Sequence, residues 1–233
     1  MNQHLNQHPL DNPIWHALTS THAGLAEGDE LARRYPLHLA PFAAVRQQTP
    51  EAFAALARAL HPEGMAALFI TPLEPPLPGW THLRTFEVMQ MICENLVPTS
   101  EPEMIELEAR DVPDMLELVR LTEPGPFKDH ANELGRFYGV RNDGRLVAMA
   151  GERIRLTGFT EISAVCTHPD FQRRGLARGL MHRLSREILA RDEIPFLHVF
   201  AGNTNAIRAY ETLGFKQRQV FTGVVIKAPE RHP

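Results

Sequence analysis

Between Phe159 and Ala190 the sequence passes from a β-type run through a basic, glycine-containing turn into an unbroken helical pattern. Few arrangements satisfy such a join. Phe159-Thr-Glu-Ile-Ser-Ala-Val-Cys-Thr alternates β-branched and small apolar residues, Pro169 ends the strand, and Leu176 to Ala190 has helical spacing. The intervening Gln172-Arg173-Arg174-Gly175-Leu176-Ala177-Arg178 therefore sits where a helix leaves its first backbone N–H groups without partners. Three arginines add full positive charge there. The combination suits a pyrophosphate and makes the chain an α/β protein with a strand feeding a helix.

The 233 residues are 43% hydrophobic and 22% charged, enough for one large domain or two small ones with ordinary cores. No apolar run reaches the roughly 18 to 20 residues that span a bilayer, and the first residues are polar, so neither a membrane nor a leader is expected and a cytoplasmic setting is. Cys93 and Cys166 are too few for a disulfide framework and read as quiet buried thiols. Net charge is −4, with 9 acidic and 5 basic side chains in residues 1 to 100 and 19 of each thereafter. Nucleic acid is excluded as a partner, because the local basic cluster is confined to the turn and helix already described. Twelve histidines are scattered without metal-ligand spacing, so no metal is expected.

Helical spacing covers residues 13 to 35 and 50 to 60, the latter opened by Thr49, Pro50 and Glu51. Met65 to Ile70 and Arg84 to Ile92 read as strands about a loop containing Pro72, Pro75, Pro76, Pro78 and Gly79. Composition changes near Pro98-Thr-Ser-Glu-Pro102, which divides the chain into residues 1 to 100 and 101 to 233. Beyond it come a strand (Met104 to Ala109), a helix (Val112 to Leu121) and a hairpin (Phe137 to Ile154) about Asn142-Asp143-Gly144. After the join follow a strand (Phe196 to Ala201), a helix (Asn203 to Leu213) closed by Gly214, and a final pair of strands, Phe215 to Phe221 and Val224 to Lys227.

The Gln172-x-x-Gly175-x-Ala177 turn, followed by Asn203-x-x-Ala206-Ile207-x-x-Tyr210-Glu-x-x-Gly214-Phe215, resembles the two signatures of the GCN5-related N-acetyltransferase superfamily, closest to its FR47-like branch. The resemblance runs from about residue 104 to 227. It implies a mixed, twisted central sheet flanked by helices, with the N-terminal half a degenerate second lobe or accessory part. It further implies acetyl-CoA as co-substrate: its pyrophosphate on Gln172, Arg173, Arg174, Gly175, Leu176, Ala177 and Arg178, and its pantetheine arm along the backbone of Val165, Cys166 and Thr167. In the family the strand carrying those three residues splays from its neighbour, and Asn203 and Tyr210 reach the cofactor from the next helix.

Transfer to an amine needs a proton acceptor, because a lysine-like ammonium has a pKa near 10.4. Glu161 lies eleven residues before Gln172, where histone-acetylating relatives carry a general-base glutamate. Alternation puts it on one face with Ser163 and Val165, and a half-buried carboxylate there would have its pKa raised. The alternative is a solvated or ion-paired side chain. His198, five residues before Asn203 and on the face opposite Leu197, is the rival base, or else a packed core histidine. Tyr210 matches the family's proton donor to the leaving thiolate. By the same resemblance Lys128, Asp129, His130 and Glu133 fall in the family's acceptor-side loop, either as acceptor contacts or as solvent-facing polar residues. The acceptor is expected to be a primary amine of a small molecule or protein. An idle CoA-binding module, another acyl-CoA, a hydroxyl acceptor, or a partner-binding role for residues 1 to 100 are the alternatives, and the oligomeric state stays open.

Overall fold

A computed structural model describes residues 8–60, 64–70 and 79–229. In chain order its elements are α1 (Pro13–Leu18), β1 (Glu27–Gly28), β2 (Ala32–Arg34), β3 (Ala43–Val45), α2 (Pro50–Ala59), β4 (Met65–Ile70), β5 (Thr81–Ile92), β6 (Ile105–Leu107), α3 (Val112–Thr122), β7 (Phe137–Asn142), β8 (Arg145–Leu156), β9 (Phe159–Thr167), α4 (Leu176–Leu189), β10 (Ile194–Phe200), α5 (Thr204–Glu211) and β11 (Lys216–Lys227). Short 3-10 turns join some of them. The described residues pack as two compact units, one from those within 8–36, 41–86 and 221–229, the other from 37–40 and 87–220. The chain passes between them at Pro36–Leu37, at Ala40–Pro41, within β5 at Phe86–Glu87 and within β11 at Val220–Phe221.

In the first unit β1, β2 and β3 form an antiparallel sheet, and β4 pairs antiparallel with residues 222–227 of β11. Thr49 caps α2, its Oγ1 accepting from the Ala52 N–H at 3.3 Å, and Phe53 and Leu56 carry the buried face of that helix against Leu68 and Val224. The helix expected over residues 13 to 35 stops at Leu18. The Thr19 hydroxyl donates to the Trp15 carbonyl at 2.8 Å, and Asp29 accepts from the N–H groups of Leu31 and Ala32, so local side-chain bonds divert the backbone into the β1–β2 hairpin. The proline-rich loop expected between β4 and β5 lies largely at residues 71–78, outside the described residues.

The second unit is built on a mixed sheet in the order β5–β10–β9–β8–β7–β6, in which β10 and β9 run parallel and the other neighbours antiparallel. Helices cover both faces. Leu180, Leu184 and Ile188 of α4 are fully buried against Val147, Ala150, Ile162 and Leu197, and Ile207 of α5 joins the same cluster. Each such aliphatic side chain contributes about 1.5–3 kcal/mol by leaving water. On the other face Met115 and Leu118 of α3 meet Phe137, Met149, Ala164 and Cys166. The C-terminal pair of strands expected from the sequence is one continuous strand, β11. Gly223 does not turn there because Phe86 lies over it; a Cβ at 223 would stand 2.2 Å from the ring.

Candidate active site

Two residues with positive φ, Arg173 (60°) and Gly175 (79°), curl the backbone between β9 and α4. Glycine adopts that conformation freely, and a Cβ at 175 would meet no protein atom within 4 Å, so its bulk would project into the open space before the helix. Among the described residues the backbone N–H groups of residues 173 to 178 have no acceptor; the first bond of α4 is Gly179 N–H to Gly175 C=O at 3.0 Å. Six adjacent donors thus meet the positive end of a 14-residue helix. Gln172, Arg173, Arg174 and Arg178 are exposed around them, while Leu176 and Ala177 are half-buried. Arg174 is steadied by the Asp170 carbonyl at 3.0 Å and by the Phe171 ring 4.7 Å below its guanidinium.

Strands β9 and β10 pair only at Ile194↔Phe159, Pro195↔Thr160 and Phe196↔Glu161, while β10 stays paired with β5 out to Phe200↔Val88. Among the described residues the β10-facing edge of β9 is therefore unladdered from Ile162 to Thr167, the segment carrying Val165, Cys166 and Thr167. A bulge shapes it. Gly151 opposes Ser163 and Met149 opposes Cys166, so Ala164 (φ 51°) and Val165 together face one residue of β8. This extra residue reverses the alternation: Val165 packs with the α4 cluster alongside Ile162, and so does not share the face of Glu161 and Ser163 that strict period two assigned it. Cys166 packs on the α3 face, and burial pushes its thiol up to about 11. The Thr167 hydroxyl is buried and has no hydrogen-bond partner among the described residues.

Asn203 caps α5, its Oδ1 accepting from the Ala206 N–H at 3.2 Å. One helix face further on, Tyr210 lies 6.2 Å from the Phe215 ring, centroid to centroid, and burial pushes its phenol up to about 12. Lys128, Asp129, His130 and Glu133 are exposed, and His130 pairs with Glu133 at 2.6 Å.

The two candidate bases form one hydrogen-bonded unit. His198 Nδ1 lies 2.8 Å from Glu161 Oε1, and both Glu161 oxygens take the Arg153 guanidinium at 2.8 Å. Glu161 is 0% exposed and the His198 side chain 2%. Burial acts to raise the Glu161 pKa, as the sequence suggested, but the facing Arg153 charge and its two hydrogen bonds, with His198 behind them, outweigh it and hold the carboxyl down at about 2. The expected upward shift is thereby reversed. On the far side His198 Nε2 is 3.1 Å from Gln90 Nε2, and Gln90 Oε1 accepts from Arg218 Nη1 at 2.9 Å. Arg153 of β8, Glu161 of β9, His198 of β10, Gln90 of β5 and Arg218 of β11 thus make a polar row across the face opposite Leu197 and Val199. Sequence reading missed Arg153, Gln90 and Arg218, because it cannot set the cross-strand register His198↔Gln90 that brings them together.

A model of the FR47-like protein family matches residues 137–222. The ribosomal protein bS18-alanine N-acetyltransferase of Salmonella typhimurium is 38% identical over 79 residues, 34% of this chain and 53% of that protein, so the match spans about half its length. The Escherichia coli K12 enzyme of the same name is 30% identical over 120 residues, 49% of this chain and 80% of that protein. A crystal structure of a putative GNAT-family acetyltransferase from Novosphingobium aromaticivorans superimposes with a TM-score of 0.88 at 39% identity, covering 96% of this chain and all of that one. The GCN5-related N-acetyltransferase of Kribbella flavida shares the fold at a TM-score of 0.62, 17% identity and coverage of 93% and 96%. By its signatures, its splayed sheet and these relatives, the chain belongs to the GCN5-related N-acetyltransferase superfamily, in its FR47-like branch.

Proposed function

We propose that this protein is an acetyl-CoA-dependent N-acetyltransferase acting in the cytoplasm on a primary amine. The observation that carries the reading is the splay of β9 from β10, which leads to six N–H groups without an acceptor among the described residues. Those donors and the exposed Arg173 and Arg178 suit a pyrophosphate, and the unladdered backbone of Val165 to Thr167 suits the amides of a pantetheine arm. When bound, acetyl-CoA supplies a thioester carbonyl to which a neutral amine adds directly and from which a thiolate leaves.

The chain's residues then have to move two protons. His198 takes the first, from the acceptor ammonium, at Nε2, and Glu161 stabilises the resulting imidazolium through Nδ1. Because Glu161 is tied to Arg153 and titrates at about 2, it suits this supporting charge better than the role of base. Tyr210 donates its phenolic proton to the leaving sulfur and recovers one from the nitrogen that has formed the amide. Its phenol, near 12, stays protonated at neutral pH, as a donor must. Cys166, buried and near 11, is unsuited to act as a nucleophile, in keeping with direct attack.

Calorimetry with acetyl-CoA on the intact chain and on Gly175→Glu tests the cofactor half; mass spectrometry of an amine panel tests the transfer. The panel includes small diamines, lysine peptides and a peptide with N-terminal alanine, the residue in the bS18 enzymes' names. Acetylated amine from wild type and lost binding in a folded Gly175→Glu are the expected results. Equal affinity in the two proteins, or binding without transfer to any amine, would overturn the reading.

A further inference from the structure

The polar row contains its own reason for the chemistry of His198. An arginine guanidinium only donates hydrogen bonds, so the Gln90 atom facing Arg218 Nη1 at 2.9 Å is the amide oxygen. The planar amide then directs its NH2 group at His198 Nε2, 3.1 Å away. An NH2 group also only donates, so Nε2 must be an acceptor and the ring proton of the neutral imidazole must sit on Nδ1. There it is donated to Glu161 Oε1 at 2.8 Å, and Arg153 fixes that carboxylate by both oxygens. Gln90 and Glu161 are each 0% exposed, so little water competes for these bonds.

We propose that Gln90, oriented by Arg218, is a positioning residue that selects the Nδ1–H tautomer of His198 and keeps Nε2 unprotonated until the acceptor's N–H replaces the Gln90 donor. This rests on the reading of His198 as proton acceptor. Facing the imidazole are, among others, Glu161 from β9, backed by Arg153 of β8, Gln90 from β5, backed by Arg218 of β11, and the Phe196 ring, 5.7 Å away on its own strand. A donor at Nε2 and a carboxylate at Nδ1 together discriminate between tautomers, which neither packing nor the carboxylate alone does for both nitrogens.

The test uses the intact chain labelled with nitrogen-15 histidine, with His198 assigned by loss of its signals in His198→Asn. At neutral pH the expected spectrum shows a protonated Nδ1 and an unprotonated Nε2; a protonated Nε2 in wild type overturns the proposal. In Gln90→Glu an acceptor replaces the donor, so Nε2 should gain a proton and kcat/KM should fall about 100-fold with acetyl-CoA affinity unchanged. Since that variant buries a carboxylate, Arg218→Met provides a second arm: it removes the guanidinium that fixes the amide oxygen, so the share of ring protonated at Nε2 should rise and turnover should fall about 10-fold. Arg218→Lys, still a pure donor, should restore the wild-type spectrum. An unaltered tautomer in both Gln90→Glu and Arg218→Met overturns the proposal. Full turnover by His198→Asn would instead refute the base reading while leaving the tautomer assignment intact.

Discussion

Replacing Arg153 with methionine leaves the Glu161 carboxylate buried with, among the described residues, the His198 imidazole as its remaining side-chain hydrogen-bond partner. Glu161 is 0% exposed and titrates at about 2 instead of the ordinary 4.5, which at 1.36 kcal/mol per tenfold corresponds to roughly 3 kcal/mol of preference for the charged form. Removing one partner of a buried pair typically costs about 3–5 kcal/mol, a large share of an ordinary domain's 5–15. Arg153→Met is therefore expected to lose about 3–5 kcal/mol near neutral pH. Adding Glu161→Gln, whose amide oxygen still accepts from His198 Nδ1–H, should reduce the loss to less than about 2 kcal/mol. Glu161 has a depressed folded pKa, so its contribution is complete above about 4.5 and disappears as pH falls through about 2; the gap between wild type and Arg153→Met should close over that window. Urea unfolding followed by circular dichroism gives the overall loss. Hydrogen exchange of β8 to β10 locates it in the second unit, which Trp15 and Trp80, both in the first, do not report. A loss under about 1 kcal/mol, a double variant no better than the single, or a gap independent of pH would refute the reasoning.

Gly175→Glu should weaken acetyl-CoA binding by about 100-fold or more, through charge and bulk at the N–H cradle, while thermal unfolding shows the fold retained. Tyr210→Phe should lower kcat about 10- to 100-fold without changing acetyl-CoA affinity, and wild type should show no loss of activity from Tyr210 ionisation until pH approaches 12. Cys93 and Cys166, both pushed up to about 11 chiefly by burial, should resist iodoacetamide near pH 8 in the folded protein and react after urea is added, as a mass shift would record. Gly179→Val should cost about 1–3 kcal/mol in denaturant unfolding, since a Cβ at 179 would stand 2.2 Å from Pro102 Cδ where the chain crosses α4.

Elements whose signals are local were legible in the sequence. Gly175 ahead of the Leu176–Leu189 pattern placed α4, Asp143-Gly144 placed the β7–β8 turn, and Thr49 placed the start of α2. Local signals misled where side-chain bonds compete with helix, as at Thr19 and Asp29, and where a glycine suggests a turn but accommodates a ring, as at Gly223 under Phe86. At the site, the residue types at 161, 198 and 210 stand out by spacing and chemistry. Their environments do not: Arg153 lies eight residues from Glu161 in sequence and Gln90 is 108 from His198, so the partners that set charge and tautomer depend on strand register.

The bulge at Ala164 connects the two parts of the site. Upstream, β9 is laddered on both edges and holds Glu161 in a buried row where the facing Arg153 guanidinium, with His198 behind it, keeps it ionised. Downstream, its β10-facing edge leaves the ladder and its backbone must find other partners. A strand that kept strict alternation through this change would carry Val165 onto the face of Glu161 and Cys166 onto the α4 face. The extra residue instead returns Cys166 to the α3 core beside Met149 and Val165 to the α4 core beside Ile162. Both cores stay packed while the edge between them opens, so the opening follows from backbone pairing and needs no cavity among the apolar side chains.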